Sequence, residues 1–279
     1  MIIEMNVKEF RGISYLESSN LMKRHKGRLA FASDKPNVLV GPNGAGKSAV
    51  MQTLALRFLA YFSGASTFDD KYLRDSEADA GWTKEVYWRD NAEWLKGLKC
   101  KTDNGPALYY RPGHIPGNEC SITHSMMMGY FEQAKAYGML VKDKSSGQQS
   151  QAVLQRILDA LAGRELPTDY AQLNWPYGRK LKEAGGQGHP GHFAPQAEAL
   201  KKCYPPDTVG IPLILMDEPE QSLDARAEGQ LWNAIAHADC SRMQVIVATH
   251  SLYPLLHRDK FNLIESEPGF IKDVLALMA

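Results

Sequence analysis

The sequence predicts an α/β fold in which a mixed, mainly parallel β-sheet is flanked by helices. Residues 37–40 form a short apolar run that leads into a glycine-rich segment and then into an apolar-faced helix. Residues 213–216 are four consecutive large apolar residues, and residues 244–250 repeat the pattern of a buried strand that ends in a polar residue. Strands that are apolar on both faces are typical of parallel sheets covered by helices on each side.

Shorter signals predict antiparallel strands and further helices around this sheet. Residues 2–7 and 10–13 read as a strand pair. Asp103-Asn104-Gly105 separates the apolar segments 94–100 and 107–110, which is the pattern of a β-hairpin. A helix opens at residues 222–224, and the chain closes with a strand near 261–264 and a short helix.

Composition excludes several classes of protein. The 279 residues contain 32 Lys and Arg against 32 Asp and Glu, so no overall basic excess indicates nucleic acid or an anionic membrane. The longest apolar helix is too short to cross a bilayer, and charged residues at 4, 8 and 9 stand where a signal peptide needs an apolar run. The four cysteines are scattered, without disulfide or zinc spacing. We expect a cytoplasmic protein without membrane insertion.

The glycine-rich loop (residues 41–48) has the spacing that wraps the phosphates of a nucleotide. Its glycines allow tight turns and close approach of backbone N–H groups to an anion. In this pattern Lys47 reaches the β- and γ-phosphates and Ser48 offers its hydroxyl to Mg²⁺. An ordinary glycine-rich turn is the alternative. The residues predicted to bind nucleotide are Asn43, Gly44, Ala45, Gly46, Lys47 and Ser48.

Two polar strand ends supply the predicted reaction chemistry. Asp217 and Glu218 follow the run at 213–216, at the edge of the sheet where parallel α/β folds bind ligands. Asp217 is the natural further ligand of a magnesium ion held by Ser48, and Glu218 can polarise an attacking water. The alternative is that both carboxylates cap the following turn. His250 ends the second strand and can sense a γ-phosphate, or it is structural.

A second helix start carries small polar residues. They are Ser145, Ser146, Gly147 and Gln148, and they stand before the helical repeat Leu154, Ile157, Leu161. A capping box explains them without a ligand. A second phosphate site is the alternative, because helix N-termini bind anions, although these residues alone favour the cap. The basic cluster at 23–28 is likewise either a solvated turn or a contact to phosphate or nucleic acid.

Five motifs taken together resemble the heads of ABC-type ATPases. They are the glycine-rich loop, Ser-Ser-Gly-Gln at 145–148, Leu-Ile-Leu-Met-Asp-Glu-Pro at 213–219, Ser-Leu-Asp at 222–224 and Thr-His-Ser at 249–251. The resemblance implies one P-loop NTPase domain over 1–279, with an antiparallel β subdomain. A nucleotide-binding lobe would span about 1–115, a helical signature subdomain with a Gly/Pro-rich insertion 116–205, and the return to the core sheet 206–279.

The resemblance also implies ATP, Mg²⁺ and a homodimer. In that superfamily the nucleotide is sandwiched between two protomers, and the signature of one faces the γ-phosphate bound by the other. Ser145, Ser146, Gly147 and Gln148 would act in trans, and Asp224 would lie in the D-loop. Asp217 would assist Mg²⁺, Glu218 would be the general base and His250 the switch histidine. A second anion site on a separate helix can close on the same nucleotide only when another protomer brings it there.

Within the superfamily, Phe-Arg-Gly at 10–12 and Asp-Glu-Pro-Glu at 217–220 look more like one group than like transporter subunits. That group comprises chromosome-maintenance, recombination-repair and overcoming-lysogenization-defect proteins. Short members often work with a nuclease or another effector in bacterial anti-phage defence or DNA repair, so an effector-controlling ATPase is expected. The alternatives are a transporter's ATP-binding subunit, a nucleotide-binding scaffold in which assembly matters more than hydrolysis, and a nucleic-acid-binding clamp. The family's Q-loop glutamine is absent from the matching loop at 111–117.

Overall fold

Two β-sheets form the framework of the chain. A computed structural model describes residues 1–10, 14–58, 97–103, 105, 107–111, 154–155, 157–164, 210–221 and 223–278. The strands are β1 (Ile2–Asn6), β2 (Arg28–Ala30), β3 (Asn37–Val40), β4 (Lys99–Thr102), β5 (Ala107–Tyr110), β6 (Leu213–Asp217), β7 (Gln244–Ala248) and β8 (Asn262–Glu265). The helices are α1 (Ser14–Ser18), α2 (Asn20–Arg24), α3 (Lys47–Arg57), α4 (Ala225–Ala236), α5 (Tyr253–Leu256) and α6 (Phe270–Met278). Residues 154–155 and 157–161 are also helical.

The larger sheet has the strand order β5-β6-β7-β3-β8, and every neighbouring pair in it is parallel. The predicted parallel α/β core is confirmed, and the sheet is uniformly parallel within the described residues rather than mixed. Asp217 and Leu39 both stand opposite Ala248 in the strand between them. The carboxyl ends of β3, β6 and β7 therefore meet at one edge.

Helices cover both faces of this sheet, as its doubly buried strands require. On one face α4 contributes Leu231, Trp232 and Ile235 to a core with alternate residues of β3, β6 and β7. The Trp232 ring stacks on Tyr253 with centroids 5.9 Å apart. On the other face α3 packs against β6, β7 and β5. The helical residues 154–155 and 157–161 join the α4 side of the core through Leu154, Ile157, Ala160 and Leu161.

The smaller sheet is antiparallel, with the order β2-β1-β4, and it corrects two predictions. The partners of β1 are β2 and β4, so the predicted pairing of residues 2–7 with 10–13 is wrong: residue 10 is not in a strand and residues 11–13 lie outside the described part. The predicted hairpin is also wrong, because β4 and β5 belong to different sheets.

Asp103 explains why the chain changes sheets between β4 and β5. Its Oδ2 accepts a hydrogen bond from Ile211 N at 3.0 Å, and its Oδ1 accepts one from Gly105 N at 3.1 Å. A Cβ at Gly105 would collide with the backbone of residues 210–211. The turn is therefore docked on the segment that enters β6, and β5 continues beside β6 instead of folding back on β4.

None of the helices in the described residues is long and apolar enough to cross a membrane.

Gln244 joins the two sheets. Its Oε1 accepts from Ile2 N at 2.6 Å, and its Nε2 donates to Ile2 O at 2.8 Å and to Ala32 O at 3.1 Å. The side chain is 2% exposed, so these bonds replace water for the main chain of β1. A buried amide that pairs with both groups of one residue fixes β1 against the start of β7.

We expect Gln244→Ala to lower the free energy of unfolding by about 2–6 kcal/mol, since it leaves two buried main-chain groups of Ile2 unpaired at about 1–3 kcal/mol each. Urea titration followed by circular dichroism measures the change. Gln230→Ala, at an exposed position of α4, is the matched control. A loss no larger than that of the control would contradict the proposed role of Gln244.

Candidate functional site

The glycine-rich loop lies between the carboxyl end of β3 and the start of α3, where the sequence places it. Gly46 has φ 98°, a left-handed conformation, and a Cβ there would collide with the side chain of Ser19. A Cβ at Gly41 would collide with Ser266 Oγ, which is buried just after β8. Only glycine therefore fits at positions 41 and 46, which lie against two different parts of the structure around the loop.

One of these two parts is the helix pair α1–α2, which sequence analysis missed. Leu21 N donates to Ala45 O at 3.0 Å, and the Tyr15 hydroxyl donates to Gly44 O. Ser19 caps α2 by accepting from Met22 N at 3.3 Å. That cap was the available signal: a serine that precedes an apolar pair at a helix start. The loop is thus held from outside by main-chain and side-chain hydrogen bonds.

Lys47 is buried at the centre of the site, with 4% exposure. Its ammonium donates to Gly41 O at 2.8 Å and Pro42 O at 3.0 Å, and lies 3.1 Å from His250 Nε2. Burial lowers the pKa of Lys47 from 10.5, while the nearby carboxylates, Glu218 foremost, oppose that shift. The lysine links the loop to the end of β7.

Ser48 and Asp217 bring two hard oxygen donors together. Ser48 Oγ donates to Asp217 Oδ1 at 3.0 Å, and Asp217 is fully buried at the end of β6. Burial raises the pKa of Asp217 to about 6, against the opposing effects of Arg111, the Ser48 hydrogen bond and Lys47. A hydroxyl beside a carboxylate fits Mg²⁺, which takes few protein ligands and completes its shell with phosphate oxygens and water.

The rest of the described chain offers no fuller metal set. No group of three or more His, Cys, Asp or Glu side chains in the described ranges could hold a metal ion. The Ser48–Asp217 pair therefore suits a cation that arrives with a phosphate ligand, rather than a resident ion held by protein alone.

Tyr109 and Arg111 complete the surroundings of Asp217, and sequence analysis missed both. Arg111 Nε lies 3.5 Å from Asp217 Oδ2, and the Tyr109 hydroxyl donates to the same oxygen at 3.5 Å. Burial, followed by the Asp217 charge, raises the pKa of Tyr109 well above 10. The hairpin prediction concealed them, because it placed 107–110 beside β4 instead of beside β6.

Glu218 and His250 face each other across the site. Glu218 has φ 50°, a strained conformation for a residue with a Cβ, and its N–H donates to Ala248 O at 2.8 Å. Its Oε1 lies 3.6 Å from His250 Nε2, and both side chains are about one-third exposed, at 31% and 37%. Burial, followed by the Lys47 charge, lowers the pKa of His250 below 6.5. A neutral ring accepts from Lys47 at Nε2 and carries its proton on Nδ1.

Glu220 holds the main chain of His250, a role that sequence analysis did not assign. Its Oε1 accepts from Thr249 Oγ1 at 2.5 Å and from His250 N at 3.1 Å. Next along the chain, Ser251 Oγ donates to Glu228 Oε1 at 2.6 Å, in the first turn of α4. Burial raises the pKa of Glu220, opposed by the Thr249 hydrogen bond. The histidine is fixed by its neighbours on both sides.

Asp224 and the basic residues at 23–28 are not part of this cluster. Asp224 is the N-cap of α4, where its Oδ1 accepts from the N–H groups of Arg226 and Ala227 at 2.9 Å each. The four residues 145–148 lie outside the described part of the chain. Of the basic cluster at 23–28, Lys23 and Arg24 end α2, and Arg24 pairs with Glu265 at 2.9 Å.

Comparison with known proteins adds no relative to this picture. No model of a protein family matches the chain, and no curated protein matches it. Because a fold hosts many functions, the function has to be argued from the site itself.

The raised pKa of Asp217 makes stability depend on pH in the metal-free protein. Between its ordinary 3.8 and about 6, the folded state keeps a proton that the unfolded state has lost. Folding stability therefore falls by about 1.4 kcal/mol per pH unit as the pH rises through that window, and stays lowered above it.

We expect Asp217→Asn to remove this dependence. In EDTA the variant should be more stable than the wild type at pH 7.5, by up to about 3 kcal/mol, and the gain should vanish near pH 4. Denaturant unfolding at both pH values measures it, with the exposed Asp273→Asn as the control. An equal effect at both pH values would show that the buried charge is not the cause.

Proposed function

We propose that the protein binds and hydrolyses ATP in this cluster. The observation that supports the proposal most strongly is the Ser48–Asp217 hydrogen bond of 3.0 Å, which joins the glycine-rich loop to the end of β6. The start of α3 and the end of β6 thus supply one oxygen pair at the carboxyl edge of a parallel sheet, the usual ligand edge of such folds. A structural turn alone would not require the buried lysine beside it.

The phosphates would be held by the glycine-rich loop and the N-terminus of α3. The loop glycines permit backbone N–H groups to approach an anion, and the dipole of the eleven-residue helix α3 adds partial positive charge. Lys47 already lies within this loop, where its ammonium contacts Gly41 O and Pro42 O. A bound phosphate would replace those weaker acceptors with a charged one.

Ser48 and Asp217 would hold the magnesium ion, which when bound neutralises charge on the β- and γ-phosphates. Glu218 is the candidate general base. Its carboxylate is partly exposed and its strained backbone fixes its position at the strand end. His250, held by Glu220 and neutral near pH 7, would contact the reacting phosphate and position the water that Glu218 deprotonates.

The proposal extends to assembly through the resemblance in sequence. Two protomers would close on ATP, with Ser145, Ser146, Gly147 and Gln148 of one contacting the nucleotide of the other. Closing and opening would then control an effector such as a nuclease, in anti-phage defence or DNA repair. The exposure of Glu218 and His250, about one-third each, fits a site that a second protomer covers.

Two substitutions separate binding from hydrolysis. We expect Lys47→Ala to weaken MgATP binding about 10- to 100-fold, because a charged hydrogen bond contributes about 1.5–3 kcal/mol. We expect Glu218→Gln to keep the affinity and to lower the hydrolysis rate about 10²- to 10⁴-fold, as loss of a general base does. Calorimetry and phosphate release measure the two quantities.

The controls are Lys272→Ala in α6 and Glu17→Gln in α1, both at exposed positions. Unchanged affinity in Lys47→Ala would refute the nucleotide site. Unchanged turnover in Glu218→Gln would leave the binding site in place and refute the catalytic role of Glu218.

We expect Glu218→Gln to accumulate as a dimer in MgATP, since binding without hydrolysis traps the closed state, and Ser145→Arg added to it to abolish that dimer. Light scattering after size-exclusion chromatography measures the mass. Ser33→Arg is the matched control, because Ser33 is exposed near the amino end of β3, opposite the site. A dimer that persists in Ser145→Arg would contradict the action of this residue in trans.

A further inference from the structure

Arg111 enters the site from the strand next to β6. Tyr110 pairs with Met216 in the parallel register, so the next residues, Arg111 and Asp217, lie side by side. Side chains two apart on a strand share a face, and Tyr109 and Arg111 both reach Asp217 Oδ2 on the face that α3 covers. The Arg111 side chain is 21% exposed. It therefore forms part of the inner wall of the site.

The two oxygens of Asp217 have different partners. Oδ1 accepts from Ser48, and Oδ2 faces Arg111 and Tyr109. The buried cation Lys47 directs its hydrogen bonds to Gly41, Pro42 and His250. Among the described residues, Arg111 is thus the cation that forms an ion pair with Asp217.

This ion pair is loose. The Nε–Oδ2 distance of 3.5 Å exceeds the roughly 2.7–2.9 Å of a tight charge-assisted hydrogen bond. The guanidinium also donates a hydrogen bond to the Tyr109 hydroxyl. That bond can remain when the guanidinium moves away from the carboxylate. This geometry lets the guanidinium leave the carboxylate when another cation replaces it, because the buried charge of Asp217 is then still compensated.

Mg²⁺ and Arg111 would compete for the same carboxylate. A divalent cation held by Ser48 and Asp217 would share this carboxylate with the guanidinium, and like charges in a buried site repel strongly. The resemblance assigns no residue to position 111, because the family's Q-loop glutamine cannot be placed in this sequence. The resemblance therefore does not supply the role of Arg111.

We propose that Arg111 is an exchangeable counter-ion of Asp217, which pairs with the carboxylate in the metal-free site and yields it when the Mg²⁺–nucleotide complex binds. This inference rests on the proposed function of the same site. Its consequence is that metal binding and movement of the Arg111 side chain are coupled. Replacing Arg111 by a neutral residue should then strengthen metal binding. If Arg111 only oriented Asp217, the same replacement would weaken metal binding.

The test measures how strongly metal and nucleotide depend on each other. Calorimetry at pH 8 gives the dissociation constant of AMP-PNP, a non-hydrolysable ATP analogue, in Mg²⁺ and in EDTA. The ratio of the constant in EDTA to the constant in Mg²⁺ measures the contribution of the metal, because contacts that do not depend on the metal cancel. We expect this ratio to rise roughly tenfold or more in Arg111→Gln, since one unit charge at this range changes the proton affinity of a carboxylate by at least that factor.

Two further variants make the result specific. Arg111→Met retains the packing of the aliphatic stem without the charge, and it should show the same rise as Arg111→Gln. Arg164→Gln is the matched control, because Arg164 pairs with Asp159 through Nε at 3.1 Å on the surface. The control should keep the wild-type ratio.

An unchanged or smaller ratio in both neutral variants would overturn the exchange. In that case Lys47-dependent binding of AMP-PNP by the wild type would still support the proposed function. If the wild type shows no Lys47-dependent binding, the proposed function and the exchange both fail. A raised ratio in both neutral variants, with the control unchanged, supports the exchange.

Discussion

The buried carboxylate of Asp217 is the group on which the arrangement of the site depends. Desolvation disfavours its charge, so the surrounding elements have to supply compensation from several directions. Ser48 comes from the start of α3, while Tyr109 comes from β5 and Arg111 directly follows that strand. Burying a carboxylate costs desolvation energy, so this residue is poorly explained by fold stability alone. A role in ligand binding explains its position better.

The parallel core was predictable because its signal is local. Strands buried on both faces read as unbroken apolar runs, so β3, β6 and β7 appear directly in the sequence. Asp217 ends β6, His250 closely follows β7, and Lys47 follows β3 across the glycine-rich loop. The parallel topology brings the carboxyl ends of these strands together. Five of the expected site residues could therefore be assembled without coordinates: Lys47, Ser48, Asp217, Glu218 and His250.

What the sequence could not reveal depends on pairings between distant segments. Asp103-Asn104-Gly105 has the composition of a hairpin turn, and only the docking of Asp103 on Ile211 sends the chain into the other sheet. The pairing of β5 with β6 places Arg111 beside Asp217, and nothing in the sequence around residue 111 indicates a carboxylate at residue 217. Glu220 was visible as an acidic residue, but its partners Thr249 and His250 N are about thirty positions away.

The bonds on either side of His250 give the site a mechanical property. Glu220 anchors its main chain to the end of β6, and Ser251 ties the next residue to Glu228 in the first turn of α4. These bonds connect the end of β6, His250 and the first turn of α4. We therefore expect a displacement of the first turn of α4, which Asp224 caps, to reach the main chain beside His250 through the Ser251–Glu228 hydrogen bond.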